Sequence, residues 1–552
     1  MKKALYQSFR HCSLLILCTI LYLFSFAQGF STQTEAKLQQ VINSFQNNPD
    51  SPYIGGISVA INVDGLAIWQ GATGFAARNV DAQNNLLPGG TPFTVDTLSR
   101  IYSVTKTFTA ALVLELAKEG AFSLDEPVSK YLPLINAVNP GLNPNVTIHQ
   151  LLAHESGYSD YTDEVDLQVA VAYDPTHIWT PYEMLSFVHQ IAAPGAERRY
   201  SSTNYILLGA IIEAATGKSA EQHFRERFFN PLHLSSMYLA GRESIGNRGN
   251  LAAPHDNISV FNPVFSATGQ PTFPDTTTNI SRFPMDGIVS LAFTGGAIVS
   301  NVADEARWGN ALFGGRATSQ ATIDTMVNSI LPVPDEDGDY LGYGVFRTTR
   351  ISETDTFIGH NGMAVGYKSI MFYQPERKMT IAVLTNFYGA DPYAIGKALY
   401  EALPHFLCGN EKDNKVTVCF KSRTICLPRP AARLLIKAGA YLGGCESTRP
   451  ELITKSANVL NSKVLENDKL TVSPNPFNNN TVASFTAASR SKANLSLYDL
   501  NGKQVAVLFN GVIEKGIPVQ VKIEGDNLPA GVYICRLQTA SGISRQKLVL
   551  RK

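Results

Sequence analysis

Apolar residues recur with two different periods along this chain, and the switches between them mark its elements. Ile57, Val59, Ile61 and Val63 alternate with small or polar residues, Asp64-Gly65 follows, and Leu66-Ala67-Ile68-Trp69 resumes the apolar text. Period-two alternation on either side of an Asp-Gly pair predicts a β-hairpin closed by a two-residue turn. From Val104 to Lys118 the period lengthens: Val104, Phe108, Ala111, Leu112 and Leu116 share a helical face, and Gly120 supplies the stop. Much later, Ala364 to Tyr373 reads as a strand, Pro375-Glu376-Arg377 as a turn and Met379 to Thr385 as the returning strand. A hairpin at each end of a helix-rich middle predicts one sheet built from both ends, plus a helical part. The whole is an α/β domain over 28–406.

Two further segments differ in texture. Positions 407–467 hold Cys408, Cys419, Cys426 and Cys445, a Pro-rich point at Leu427-Pro428-Arg429-Pro430, and then polar text, which predicts a small stapled insert and a linker. From 468 to 552 short alternating segments are separated by turns such as Asn501-Gly502 and Pro529-Ala530-Gly531, as in a compact β-sandwich.

At the other end, Lys2, Lys3 and Arg10 precede an apolar run from Leu14 to Ala27, with small residues at Ser25 and Ala27. The run is short for a bilayer and polar sequence follows it, so 1–27 reads as a cleaved export signal and no transmembrane anchor is expected. Cysteine usage agrees. Cys12 and Cys18 lie in the signal, Cys535 stands alone near the end, and none occurs between 28 and 407. In an oxidising compartment the four clustered cysteines can form two disulfides in any of three pairings. No CxxC or HxxxH spacing supports zinc there, and His149, His189, His255 and His405 are scattered, so neither a metal nor another cofactor is expected.

Composition narrows the partners. Of 552 residues 44% are hydrophobic and 17% charged, with 46 basic and 46 acidic side chains balancing to zero. Without a basic run, nucleic acid and anionic lipid have no electrostatic handle.

Chemistry concentrates where the long helix begins. Ser103-Val104-Thr105-Lys106 places a hydroxyl and an amine three residues apart, on one helical face, at a helix start that favours developing negative charge. An unaided serine is a poor nucleophile, and a nearby deprotonated amine or phenolate can take its proton. Alone, Ser103 could equally cap the helix. Its company changes the reading: Tyr200-Ser201-Ser202 stands before the apolar run Tyr205 to Ile212, and His360-Asn361-Gly362 leads into the late strand.

Together with Leu151-Leu152-Ala153-His154-Glu155-Ser156-Gly157 and Thr294-Gly295-Gly296-Ala297, these motifs resemble the serine β-lactamases of class C and the related D-alanyl-D-alanine carboxypeptidases and esterases, over most of 50–400. The resemblance implies a β-lactamase/transpeptidase-like fold, an antiparallel sheet flanked by helices with an all-helical region, and a site between them. It implies Ser103 as acylated nucleophile and Lys106 and Tyr200 as the base system, with the choice of base open. The backbone N–H groups of Ser103 and Met363 become the oxyanion hole, and Ser202, His360, Asn361 and Gly362 the substrate contacts. His360 stands where many relatives carry lysine, and its imidazole is expected to bond Tyr200 or substrate. Ser202 stands where most carry asparagine, which weakens lactam or peptide recognition and favours esters. His154 is expected to be a loop hydrogen-bonder, and Thr294-Gly295-Gly296 to serve close backbone packing.

The tail segments Val472-Ser473-Pro474-Asn475-Pro476-Phe477, Leu497-Tyr498-Asp499-Leu500-Asn501-Gly502 and Lys547-Leu548-Val549-Leu550 resemble the C-terminal sorting domain of the type IX secretion system. The combined expectation is an exported or surface-bound serine hydrolase acting on an ester, a β-lactam or a D-amino-acid amide or peptidoglycan-type peptide. Its partners are its substrate and the secretion machinery. The rival is a catalytically inactive surface peptidoglycan-binding or interaction protein on the same fold.

Overall fold

The computed structural model describes residues 29–48, 53–334, 338–409 and 414–445, and all of 470–550 except 474, 476, 486–489, 500–503, 515–516, 526–527, 530 and 540–541. The export signal expected at 1–27 and the linker portion at 446–467 lie outside the described residues. The chain divides into two compact units, one reaching Cys445 and the other beginning at Glu446.

In the first unit, α1 (Thr32–Gln46) starts at Ser31, whose Oγ accepts from the Thr34 N–H at 3.1 Å. The hairpin follows as β1 (Gly56–Val63) and β2 (Ala67–Val80). Val63 pairs with Ala67, so the turn holds Asp64, Gly65 and Leu66, not the expected two residues. Gly65 takes φ 68°, and the Leu66 N–H closes the turn on the Val63 carbonyl at 2.9 Å, which spends Leu66 on the loop. β3 (Leu86–Pro92) extends this edge.

Four helices build the ground on which Ser103, Lys106 and Tyr200 meet: α2 (Thr105–Lys118), α3 (Ser202–Thr216), α4 (Asp286–Gly296) and α5 (Val302–Phe313). The chain then returns to the sheet with β4 (Asp339–Leu341), β5 (Phe346–Thr348), β6 (Phe357–Ala364), β7 (Tyr367–Gln374) and β8 (Met379–Thr385), and closes with α6 (Pro392–Ala402). The expected strand from Ala364 is in fact the end of β6, a turn at Val365-Gly366 and β7, with Gly366 at φ 73°. His360-Asn361-Gly362 therefore lies within a strand, not ahead of one.

The sheet order is β3-β2-β1-β8-β7-β6-β5-β4, antiparallel throughout. Strands from both ends of the region meet at β1 and β8, where Ile57 faces Thr385 and Val63 faces Met379. Ile57, Val59, Ile61 and Val63 pack in one core with α1 and α6, and Ala60 and Ala382 face the core shared with α2, α3 and α5. Covered on both faces, β1 is buried along its length save at Asn62, so alternation in the sequence marks two different cores.

In the insert, β9 (Lys415–Phe420) pairs with β10 (Arg423–Pro428), and α7 (Arg429–Lys437) follows. The disulfides join Cys408 to Cys426 and Cys419 to Cys445, one of the three pairings the sequence allows. The second unit is a sandwich of two sheets. Leu470–Ser473, Asn480–Phe485 and Val519–Glu524 form one; Gln504–Ile513, Ser491–Asp499, Gly531–Thr539 and Gly542–Leu550 form the other. Their shared core includes Phe485, Leu495, Leu497, Leu537, Leu548 and Cys535, a fully buried free thiol. No helix among the described residues is long and apolar enough to cross a membrane.

Candidate active site

Ser103 sits in a single 3-10 turn, Tyr102–Val104, immediately ahead of α2. Two contacts fix that turn. The Ile101 N–H bonds the Ile298 carbonyl at 3.1 Å, and the Ser369 hydroxyl of β7 bonds the Ile101 carbonyl at 2.9 Å. The turn lies so close to β6 that a Cβ on Gly362 would stand 2.0 Å from the Ile101 oxygen. The glycine of His360-Asn361-Gly362 is thus a condition for placing Ser103.

Lys106, one turn on, is fully buried. Its Nζ lies 2.9 Å from Ser103 Oγ, 2.9 Å from the Gly295 carbonyl and 3.4 Å from Ser202 Oγ. Desolvation pulls its pKa down to about 7, and the Asp160 carboxylate partly opposes the fall. The Gly295 carbonyl reaches Lys106 because α4 is kinked at Phe293, φ 30°. Thr294 is tied on both sides, accepting through its carbonyl from Thr109 Oγ1 and donating through Oγ1 to the Tyr205 carbonyl, each at 2.7 Å. The expectation that Thr294-Gly295-Gly296 serves packing alone is corrected: Gly295 also supplies an acceptor to the lysine.

Tyr200 arrives from the loop before α3, and its hydroxyl lies where Ser103 and Ser202 both act on it. Its ring covers Lys106, with Nζ 5.0 Å from the ring centroid. Burial drives the phenol well above its usual pKa, and Ser103 and Ser202 offset this only in part. Serine, amine and phenol, far apart in sequence, thus converge.

An aromatic column holds the phenol. His154 stacks on Tyr200 at 4.7 Å and on Tyr205 at 5.0 Å, and Phe346 stacks on Tyr200 at 5.9 Å. His154 adopts φ 58°, and its Nδ1 accepts from the Ser201 N–H at 3.1 Å, which fixes the loop beneath Tyr200. Burial and the nearby charge of Lys106 keep its imidazole neutral, well below the usual histidine pKa. It is the loop hydrogen-bonder expected, and also the stacking support of Tyr200.

His360 makes the first of its two expected contacts differently. It is fully buried at the end of the column, 4.4 Å from Phe346 and 6.1 Å from Tyr200 between ring centroids. Its Nδ1 donates to the Asn361 carbonyl at 2.6 Å, and Nε2 has no partner. Of the two expected partners, Tyr200 and substrate, the first is therefore not bonded; the imidazole packs in the column instead. Burial and Lys106 push its pKa down to about 3, so it carries no charge at neutral pH. Asn361 is half-buried, and Met363, two residues on, has 54% of its surface exposed.

Asp160 is a site residue that sequence reasoning misses. Its Oδ2 accepts from the Ser202 N–H at 2.8 Å and its Oδ1 from the Thr162 N–H at 3.0 Å, so it fastens the start of α3 while placing a negative charge near Lys106 and Tyr200. The one hint was its position three residues after Gly157, and nothing in a single sequence separates it from an ordinary turn aspartate.

A sheet built from both ends and an SxxK serine facing a half-buried tyrosine define a β-lactamase-type serine hydrolase fold. The chain belongs to the beta-lactamase family, whose model matches residues 41–405. The tail, residues 471–551, matches the secretion system C-terminal sorting domain, which assigns the protein to export by type IX secretion, at the cell surface or beyond it. Protein flp of Staphylococcus aureus is 32% identical over 205 residues, 37% of this chain and 38% of flp, so the match spans well under half of that relative. A D-stereospecific amidohydrolase from Streptomyces sp. is 25% identical with a TM-score of 0.50, covering 67% of this chain and 98% of the other. The D-amino acid amidase of Ochrobactrum anthropi SV3 shares the fold at 23% identity and TM-score 0.53, over 67% and 98% of the two chains.

Proposed function

We propose that this protein hydrolyses esters and D-amino-acid amides, and is acylated by β-lactams, through a covalent intermediate on Ser103. The observation that carries the reading is the contact between Ser103 Oγ and a buried Lys106 whose pKa lies near 7. Once neutral, the amine reverses that hydrogen bond and accepts the serine proton as Oγ attacks the carbonyl carbon. Lys106 acts as the base, because burial keeps the Tyr200 phenol protonated. Tyr200, on whose hydroxyl Ser103 and Ser202 both act, then relays a proton to the leaving oxygen or nitrogen. The N–H groups of Ser103 and Met363 receive the oxyanion, each aligned donor contributing about 3 kcal/mol. Water repeats the sequence on the acyl-enzyme.

The substrate class follows from Ser202, where one hydroxyl offers a single donor to the acyl side. An ester asks less of that contact than an amide, and the likeness to a D-stereospecific amidohydrolase supports the D-amino-acid alternative. Incubation with a fluorophosphonate or a fluorescent penicillin, followed by peptide mapping, should place the adduct on Ser103 and lose it in Ser103→Ala. An adduct elsewhere, or none with either reagent, defeats the proposal.

A further inference from the structure

Three residues before the nucleophile the chain buries a cation that forms no ion pair among the described residues. Arg100 is 9% exposed, makes no ion pair among the described residues, and its Nε has no hydrogen-bond partner. Tyr102, two residues on, is 4% exposed and its hydroxyl is likewise unpartnered. Arg100 and Tyr238 both pair with Val299, from the two sides of a three-stranded ribbon, so all three side chains share one face. The Tyr102 ring lies 6.1 Å from that of Tyr367, whose hydroxyl is committed to the Ala252 carbonyl and also within reach of the guanidinium. The Arg100 charge thus acts on three tyrosines, Tyr102, Tyr238 and Tyr367.

Asp256 is the acidic group that acts on Tyr102, and its carboxylate is engaged with the Gly366 N–H at 2.9 Å and the Asn257 N–H at 2.8 Å. On the far side, Arg248 stacks on Tyr238 at 5.4 Å and is itself paired with Glu243 at 3.9 Å, so it leaves Arg100 without a counter-ion of its own. A buried guanidinium is costly unless paired, and an unpaired buried hydroxyl adds a further penalty. Two orphan donors, one of them on the cation itself, ask for the same thing, an acceptor that carries negative charge.

We propose that Arg100 and Tyr102 form an anion-binding subsite adjoining Ser103. It takes a small singly charged group: a free halide or carboxylate, or the carboxylate on the acyl chain of a substrate. Only the second source rests on the acyl-enzyme reading of Ser103. In the substrate case the subsite selects short dicarboxylic monoesters or acidic acyl groups, because Tyr102 adjoins the nucleophile in the chain.

The first arm of the test uses the exported chain without any turnover. Thermal unfolding is followed while bromide or acetate replaces methanesulfonate at constant ionic strength. The wild type should gain stability saturably, and Arg100→Met and Tyr102→Phe should lose that dependence. The wild-type titration stands even where a variant does not fold. The second arm compares nitrophenyl esters of succinate and butyrate. The wild type should favour the succinate by roughly tenfold in kcat/KM, as one charge-assisted hydrogen bond allows, and Arg100→Met should abolish that preference. Saturable stabilisation without an acyl preference identifies a free anion and supports the subsite, and an acyl preference lost in Arg100→Met identifies the substrate. Neither effect means a buried water only and overturns the proposal. Absence of all ester hydrolysis, with anion stabilisation intact, rejects the hydrolase reading and leaves the subsite standing.

Discussion

Lys106 has three neutral acceptors around its ammonium and Asp160 acting from farther away, so its proton is held loosely. Rising pH through about 7 should therefore increase kcat/KM as the amine becomes a base. Asp160 favours the charged lysine, so Asp160→Asn removes a raising influence and should move that limb to lower pH; a limb that stays put or moves up contradicts the assignment of Lys106 as base. The same depressed pKa has a stability consequence. Between about 7 and 10.5 the unfolded chain binds the proton that the folded one has lost, so stability rises with pH across this window. Lys106→Met should flatten that slope in urea titrations and stabilise the neutral-pH fold by an amount on the order of a few kcal/mol. His154 acts through Tyr200 and not on substrate. Removing its ring in His154→Ala should lower kcat on the order of a hundredfold with KM little changed, and His154→Phe, which keeps a stacking ring, should recover part of the loss.

Elements matter here through how closely they approach. The 3-10 turn carrying Ser103 is pinned between β6 and β7, and only a residue without Cβ fits at 362. Gly362→Ala should displace the turn and abolish covalent labelling of Ser103 while circular dichroism still reports a folded sheet; full labelling would show that the approach is not limiting. Gly209 of α3 has the same character, since a Cβ there would stand 2.1 Å from Thr294 Oγ1, and this closeness lets α4 deliver the Gly295 carbonyl to Lys106. The Asp64-Gly65 signal was legible as a hairpin, and the β6–β7 turn was not. Val365-Gly366 carries one glycine between apolar residues, and an apolar run with a buried strand on each side gives no period that marks the bend.

As a whole the chain pairs a catalytic unit with a tail that has its own core, and two disulfides staple the insert at the end of the first unit. Each disulfide is worth about 2–4 kcal/mol by restricting the unfolded chain. Fusing 468–552 to an inert exported reporter should carry it outside cells that possess the type IX system; periplasmic retention would remove the tail's sorting role.

The sequence by itself determined the chemistry on offer: a serine and lysine one turn apart, a distant tyrosine, a run of motifs in order, and period-two text at both ends of one domain. Those are local properties, set by side-chain type and spacing within a few residues. Tertiary structure alone decided which atoms meet. The disulfide partners, the Gly295 carbonyl on Lys106, the Asp160 charge and the burial that sets the lysine's pKa all join residues remote in sequence. Burial and field depend on everything packed nearby, and no spacing rule encodes them. His360 shows the difference most plainly: its type allowed a bond to Tyr200, and packing against Phe346 turned it to its own backbone instead.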